Sequence, residues 1–474
     1  MAYDLAVVGG GILARAIVHR LASTGSRAAW VRPAGSPVGQ ASAAAGAMLA
    51  VYSEVSPHER PDRRLIDLRT RREARRGYER WLRSIEAAGA PPIPIREGLY
   101  VVGNAAGEDD EAALDAISAA AAGCEEPAEE LRASEVPGYS PHPAARGFRA
   151  LYLRNEGSVD ARTLLDALEI SIRGQGVDIV AGTAIRVVPH PSGVRVLLDD
   201  GRECAADGVV LAVGAATTHL LQRSAINETG LPPVFSGRGV SLLMRAAQLP
   251  ERTIRTPNRT FACGLHVVPQ DDGQLYLGAT NRFSMLPDGE RLPSAAEIAQ
   301  LLSGGTRELD TRLADAEVVS IQVGHRPVTA DRMPCVGRTA VESILVATGT
   351  YRNGILLAPL CAELIQAELE HPGSTADHAF APVRATPAPP DGEMEAWLRR
   401  ASRSLVTTIV EPGGSLPHHR SDDLQRFFYV VLRSALDPDA DRDGLLQKLE
   451  RTFRRAPIEE GVPLLFDVIS RHGA

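Results

Sequence analysis

Lysine is almost missing from this chain: Lys448 is the only one, and arginine supplies every other basic side chain. That excludes a Schiff-base lysine from the main body of the sequence. Cysteine is sparse too. Cys124, Cys204, Cys263, Cys335 and Cys361 are odd in number, scattered and free of any C-x-x-C pair. Neither a disulfide framework nor a zinc site is expected, and a reducing cytoplasm is the natural compartment. No apolar run is long enough to span a bilayer. The first residues pass straight into an apolar strand, so a signal peptide is not expected. Net charge is −8 with no basic block, which speaks against nucleic acid as a partner.

What is present is more pointed. At 474 residues with 44% apolar content, two or three globular domains are expected. Leu5–Val8 is a short uncharged apolar run, suited to a strand buried on both faces. It breaks at Gly9-Gly10-Gly11, and an apolar helical pattern follows through Ala14, Ile17, Val18 and Leu21. Strand, glycine turn and helix together give G-x-G-x-x-A the context of a dinucleotide-binding turn. Gly9 permits the turn, Gly11 lets backbone approach a pyrophosphate, and Ala14 keeps helix and strand close. A glycine turn that binds nothing is the plainer alternative.

The second strand, Ala28–Val31, is followed by Arg32, where an acid that binds ribose is usual. Arg32 suits either the 2′-phosphate of NADP or an adenine or phosphate contact in a modified FAD site. Gly39–Ala50 is then rich in small residues, either a plain helix with a close neighbour or a backbone approached by a flat ring. A long arginine-rich helix is expected from Arg63 to about Ala88, its charges on a solvated face. Further strands are read at 95–102, 177–180, 185–188 and 194–198, the last three as a meander. Gly208–Ala215 is read as closing the first, parallel sheet. From about Gly230 to Gln322 a period of two predicts antiparallel strands, with Asp271-Asp272-Gly273 as a hairpin turn. A last helix follows Gly354.

In this order, the segments Ala43–Leu49, Gly278-Ala279-Thr280, Arg326-Pro327 with Pro334–Gly337, and Arg352–Pro359 resemble the D-amino-acid oxidase superfamily, glycine oxidase in particular. The resemblance covers roughly residues 3–380. It implies a Rossmann-like α/β domain binding FAD without a covalent link and an antiparallel-sheet substrate domain, followed here by a small C-terminal helical extension. The expected division is 1–91, 151–225 and 326–380 for FAD, 92–150 and 226–325 for substrate, and 381–474 for linker and extension. The implied reaction oxidises a small amino acid or amine to an imine that water hydrolyses, with O2 reduced to H2O2.

Cofactor contacts are implied for Gly9, Gly11, Ile12, Leu13, Arg32, Ser42, Ala44, Ala45, Gly46, Met48, Ile185, Gly214, Arg326, Asn353, Gly354, Ile355 and Leu356. By the same resemblance Arg326 pairs with the substrate carboxylate and Arg352 lines the site from the flavin side. A guanidinium suits that task physically, since it holds a carboxylate in two parallel hydrogen bonds. Hydride transfer to a flavin needs orientation more than an acid or base, which agrees with the lack of a Ser/His/Asp triad or paired-carboxylate motif. The plain reading of Arg326 is a surface arginine on a strand, and strand alternation puts His325 on the opposite face.

Two residues depart from glycine oxidase: His266 stands in place of a tyrosine and Asn281 in place of a methionine. Both make the pocket more polar, and a larger or N-substituted glycine is expected, cleaved to release glyoxylate. His266 as a structural histidine is the alternative. The residues also leave open a dehydrogenase that passes electrons to a protein docked on the C-terminal helices, and a non-catalytic scaffold.

Beyond a proline-rich linker at 382–390, Leu424, Phe427, Phe428, Val431 and Leu432 form an apolar helical face offered to the body of the protein, a second copy or a partner. Later helical segments are read at 445–453 and 457–469. Asp439–Gly444 with Glu450 matches a calcium-loop pattern, but an Asp-rich turn is the reading preferred, and no metal is expected.

Overall fold

In a computed structural model, residues 3–35, 40–57, 61–107, 109–258, 264–284, 287, 292–329 and 331–384 are described, with parts of two helices between 395 and 433. Tyr3–Val8 runs in parallel between Ala28–Arg32 on one side and Glu203–Leu211 on the other. Leu5–Val8 is wholly buried, as expected of an uncharged strand covered on both faces. Asp178–Ala181 extends this sheet past Ala28–Arg32, and Ile344–Thr348 extends it past Glu203–Leu211, both in parallel. Cys335–Arg338 closes the far edge antiparallel.

Two expectations change here. The segment 208–215 does not close the sheet, because its strand is central and the chain returns more than a hundred residues later to add the next one. Nor does 177–180 belong to a meander: Ala184–His190 pairs with Gly193–Leu198, which pairs in turn with Glu203–Leu211, while Asp178–Ala181 is the parallel edge. Local pattern reports a strand but not its neighbour.

Helix Ile12–Ala22 is buried at nine of its eleven residues, packed between helices Ala161–Gly174 and Gly354–Glu370. Buried among them is Trp30, whose indole N–H donates to the Gly9 carbonyl at 2.8 Å. The arginine-rich helix spans Pro61–Ala87, but its charges are not all solvated. Asp67 and Arg71 are buried, and Asp67 takes Arg63 at 3.0 Å and Arg71 at 3.5 Å.

The second sheet is built on Val234–Arg245, which pairs antiparallel with Glu317–Thr329 along its whole length. On its other side lie Arg282–Ser284 and Leu275–Gly278, then His266–Pro269, Thr253–Arg255, Arg96–Asn104, Gly147–Ser158 and Ala128–Leu131. The turn at Asp271–Gly273 joins two of these strands, and Gly273 takes φ +73 there. Strands Gly147–Ser158 and Glu317–Thr329 run across the expected divisions at 150/151 and 325/326. A bridge between Met48 and Ser158 ties the small-residue segment to this sheet. From Gln40 to Ala50 that segment is a turn at 41–44 followed by irregular chain, and not a helix.

After the last helix the chain folds back onto the first sheet. Val336 N–H donates to Phe380 O at 2.8 Å, and Arg384 grips Asp331 at 2.7 and 2.9 Å. Residues 382–384 are therefore anchored and not linker. Further on, Leu398, Ser402, Phe428 and Leu432 are buried, and Tyr429 donates to Glu395. Leu424, Phe427, Val431, the segments 445–453 and 457–469, and Asp439–Glu450 lie outside the described residues. Among the described residues no helix is long and apolar enough to cross a membrane.

His19 sits inside the helical layer against Ser171, Ser84 and Gln175. Burial pushes its pKa down to about 4 from 6.5. Between these values the unfolded chain binds a proton that the native chain refuses. Stability is therefore expected to fall as pH drops from 6.5 towards 4 and to lose no more from His19 below that. Urea unfolding at stepped pH checks this, and His19→Asn should flatten the slope in that window. An unchanged slope would remove His19 as its source.

Candidate functional site

The glycine turn opens the site at the carboxyl ends of the parallel strands. Gly9 has φ +139, and a Cβ there would lie 2.2 Å from the Ala212 carbonyl oxygen, so only glycine fits. Ser42 reaches in from the small-residue segment and accepts the Ile12 N–H at 3.0 Å, which caps the first helix from outside its own sequence. From this turn a cavity of about 520 Å³ runs to the second sheet. Gly9, Gly11, Ile12, Leu13, Ser42, Ala44, Ala45, Gly46, Met48, Ile185, Gly214, Arg326, Asn353, Gly354 and Ile355 all lie on its wall.

Arg32 and Leu356 do not. Leu356 is buried in the core. Arg32 turns to Glu169 at 2.6 Å and lies over the Trp30 ring at 4.8 Å. Glu169, on helix Ala161–Gly174, also takes Arg15 at 2.9 Å and Arg173 at 2.8 Å. The arginine in the ribose-acid position is thus spent on a carboxylate 137 residues away, which no local pattern reveals.

The shape and chemistry of the wall suit FAD. Glycines and alanines line the approach where a ring system and a pyrophosphate need backbone contact. Two helix N-termini, at Ile12 and Gly354, face the cavity, and the positive dipole end of each favours negative charge. Glu54 is the one carboxylate on the wall among the described residues.

At the other end Arg326 projects from Glu317–Thr329. Its Nη1 donates to the Thr280 carbonyl and to Asn281 Oδ1, both at 3.1 Å. It meets no carboxylate among the described residues. A Cβ on Gly239 would fall 2.3 Å from its Nη2, so the bare glycine backbone makes the berth for this guanidinium. His325, on the other strand face, bonds Ser236 through Nδ1 at 2.8 Å. Asn281 is buried behind Arg326 and is not on the cavity wall.

His266 is buried in His266–Pro269 and stacked on Tyr276 with centroids 5.5 Å apart. Its Nδ1 lies 2.8 Å from the Gly264 carbonyl. A carbonyl only accepts, so the proton is on Nδ1 and Nε2 carries a lone pair. Nε2 lies 3.4 Å from where a Cβ on Gly46 would sit, on the cavity side. Burial pushes its pKa down to about 3, and the ring stays neutral.

Arg352 is also on the wall, but it is held in a cluster that the sequence does not announce. Its Nη2 meets Glu54 Oε2 at 3.1 Å. Glu54 Oε1 takes the fully buried Arg255, and Asn258 joins both arginines and the carboxylate. Burial would raise the Glu54 pKa, yet Arg352 and Arg255 overcome it and hold the carboxyl well below its usual range. The loop before Glu54 is pinned by a second buried acid: Glu156 accepts from the N–H groups of Val51 and Ser53 at 2.9 and 3.1 Å, and from Tyr52. Burial raises the Glu156 pKa against these donors. Glu54, Arg255 and Asn258 carry no motif. An acid just past a run of small residues was the only available signal. Among the described residues no group of acidic, histidine or cysteine side chains could hold a metal.

Comparison with known proteins agrees with this geometry. Residues 4–368 match the DAO family, FAD dependent oxidoreductase. Glycine oxidase of Geobacillus kaustophilus is 30% identical over 367 residues, covering 77% of this chain and 92% of that protein. The bifunctional protein ThiO/ThiG of Synechocystis is 31% identical over 268 residues, 56% of this chain, and the match spans only 38% of that longer protein. The crystal structure of the Geobacillus glycine oxidase superposes with a TM-score of 0.70 at 27% identity, over 81% of this chain and 100% of the other. Iminodiacetate oxidase from Chelativorans shares the fold, with a TM-score of 0.65 at 20% identity over 80% and 98% of the two chains. The two-layered α/β architecture, the cavity at the glycine turn and these matches agree: the chain belongs to the DAO family of FAD-dependent oxidoreductases.

Proposed function

We propose that this oxidoreductase acts on a small amino acid or amine whose carboxylate is held by Arg326, an N-substituted glycine in preference to glycine itself. The observation that carries this reading is the state of Arg326: lodged against Gly239, steadied through Nη1 by neutral acceptors and, among the described residues, without an acid of its own. Such a guanidinium is ready for a carboxylate in two charge-assisted hydrogen bonds. Arg352, by contrast, is committed to Glu54.

Fixing the carboxylate turns the α-carbon and its hydrogen towards the ring-binding wall at Gly46, Met48 and Gly354–Ile355, which is the orientation the reaction requires. FAD, when bound, supplies the two-electron acceptor and returns those electrons to O2. For a substrate R–NH–CH2–COO⁻ the balance is R–NH–CH2–COO⁻ + O2 + H2O → R–NH2 + OHC–COO⁻ + H2O2. The neutral His266 accepts a hydrogen bond at Nε2 from a donor on the substrate and adds no charge. It is too weak a base to take the substrate proton at neutral pH. The first sheet and its helices would hold the cofactor and the second sheet the substrate. Free thiols at Cys124, Cys204, Cys335 and Cys361 fit a cytoplasmic setting.

The decisive experiment is a visible spectrum of the purified protein before and after anaerobic addition of glycine and of N-substituted glycines. A flavin band bleached by the substituted compounds and hardly by glycine is expected; a flavin that no carboxylate-bearing amine reduces would sink the reading. Arg326→Gln should keep the flavin and raise KM roughly 100-fold, from about 1.5–3 kcal/mol for each hydrogen bond to a charged group. Gly239→Ala should also raise KM while leaving the melting temperature nearly unchanged, because the side chain it displaces is the movable end of Arg326. Wild-type KM in the alanine variant would show that Arg326 does not bind substrate from this berth.

A further inference from the structure

We infer that Tyr351 is a positioning residue for both arginines of the site, a strut that aims Arg326 and seats Arg352. The inference rests on the proposed carboxylate role of Arg326. Tyr351 lies on the cavity wall in a left-handed conformation, φ +46, which a bulky residue seldom adopts. Its N–H donates to the Pro327 carbonyl at 2.8 Å, so its backbone is stitched to the residue that follows Arg326.

Two contacts of the side chain carry the inference. Its phenol oxygen accepts from Asn281 Nδ2, and Asn281 Oδ1 accepts from Arg326 Nη1 at 3.1 Å. A guanidinium only donates, so the amide oxygen must face Arg326 and the amide nitrogen must find an acceptor elsewhere. Tyr351 supplies that acceptor. On its ring face lies Arg352, whose Cζ is 5.0 Å from the centroid, within reach of a cation–π contact. One phenol thus links the arginine assigned to the substrate with the arginine committed to Glu54.

The room for this link is made by another absent side chain. A Cβ on Gly237 would lie 3.2 Å from Asn281 Oδ1 and 3.3 Å from Tyr351 Cε2. Gly237 is also the register partner of Arg326. Asn281, expected on the substrate wall, therefore acts from behind. It sets the angle of the guanidinium instead of touching what is bound.

The test uses the flavin-loaded full chain with two readouts. Steady-state oxidation of the best N-substituted glycine gives KM and kcat; titration with glycolate, an inert carboxylate, gives a Kd from the perturbed flavin absorbance. Tyr351→Phe keeps the ring and removes the acceptor. Its KM and glycolate Kd should each rise about 5-fold, the loss of one ordinary hydrogen bond, with kcat within about 2-fold and flavin content unchanged. Asn281→Ala should do the same, and the double variant should be no worse than either alone, as groups acting through one link are non-additive. Wild-type values in Tyr351→Phe, or additive losses in the double variant, would overturn the strut. If no amine reduces the wild-type flavin but glycolate binding weakens in both variants, the substrate reading fails and the strut stands. If wild-type protein does not bind glycolate, Arg326 holds no carboxylate and both fail.

Discussion

A buried negative charge governs this architecture. Arg255 is wholly inside the protein, and an unpaired guanidinium cannot be kept there. Removing one partner of such a buried pair costs about 3–5 kcal/mol. Glu54 meets that demand and in doing so joins three stretches far apart in sequence: the loop after the small-residue segment, the strand Thr253–Arg255 and the turn before helix Gly354–Glu370. Among the described residues two guanidinium groups, those of Arg255 and Arg352, meet this one carboxylate on the cavity wall, and an excess of positive charge there would favour a cofactor that gains negative charge on reduction.

The same economy of charge recurs elsewhere in the fold. Glu169 gathers Arg15, Arg32 and Arg173, and Arg384 is matched by Asp331. In a chain with one lysine, planar guanidinium forks do the work of fixing distant segments, for which their several fixed donors suit them. Arg326 is set apart by its surroundings: neutral acceptors, a bare backbone beneath it and an open cavity in front.

Much of this was legible beforehand. The strand at Leu5–Val8, the glycine turn and the helix after it follow from local pattern. So do the Asp271–Gly273 hairpin and the last helix, and the resemblance placed Arg326 and Arg352 on one cavity. What escaped was long-range pairing. Arg32 read as a nucleotide contact because its partner, Glu169, is remote in sequence. Asp178–Ala181 read as part of a meander because a strand does not name its neighbour. Arg255, Glu54 and Asn258 had no motif, and Asn281 was put on the wall when it stands behind it. Tyr351 and Gly239 matter through a backbone angle and a missing side chain, and neither leaves a signature in residue type.

The grip of Arg384 on Asp331 bears on where the folded unit ends. The family match stops at residue 368, yet Arg384 also donates to the carbonyls of Met333, Pro334 and Ala381. It closes the loop that feeds the last edge strand of the first sheet. A fragment cut at the family boundary would leave Asp331 without its counter-charge and the edge strand without its tail. The contacts that complete this sheet thus run to Arg384, about sixteen residues past the end of the family match.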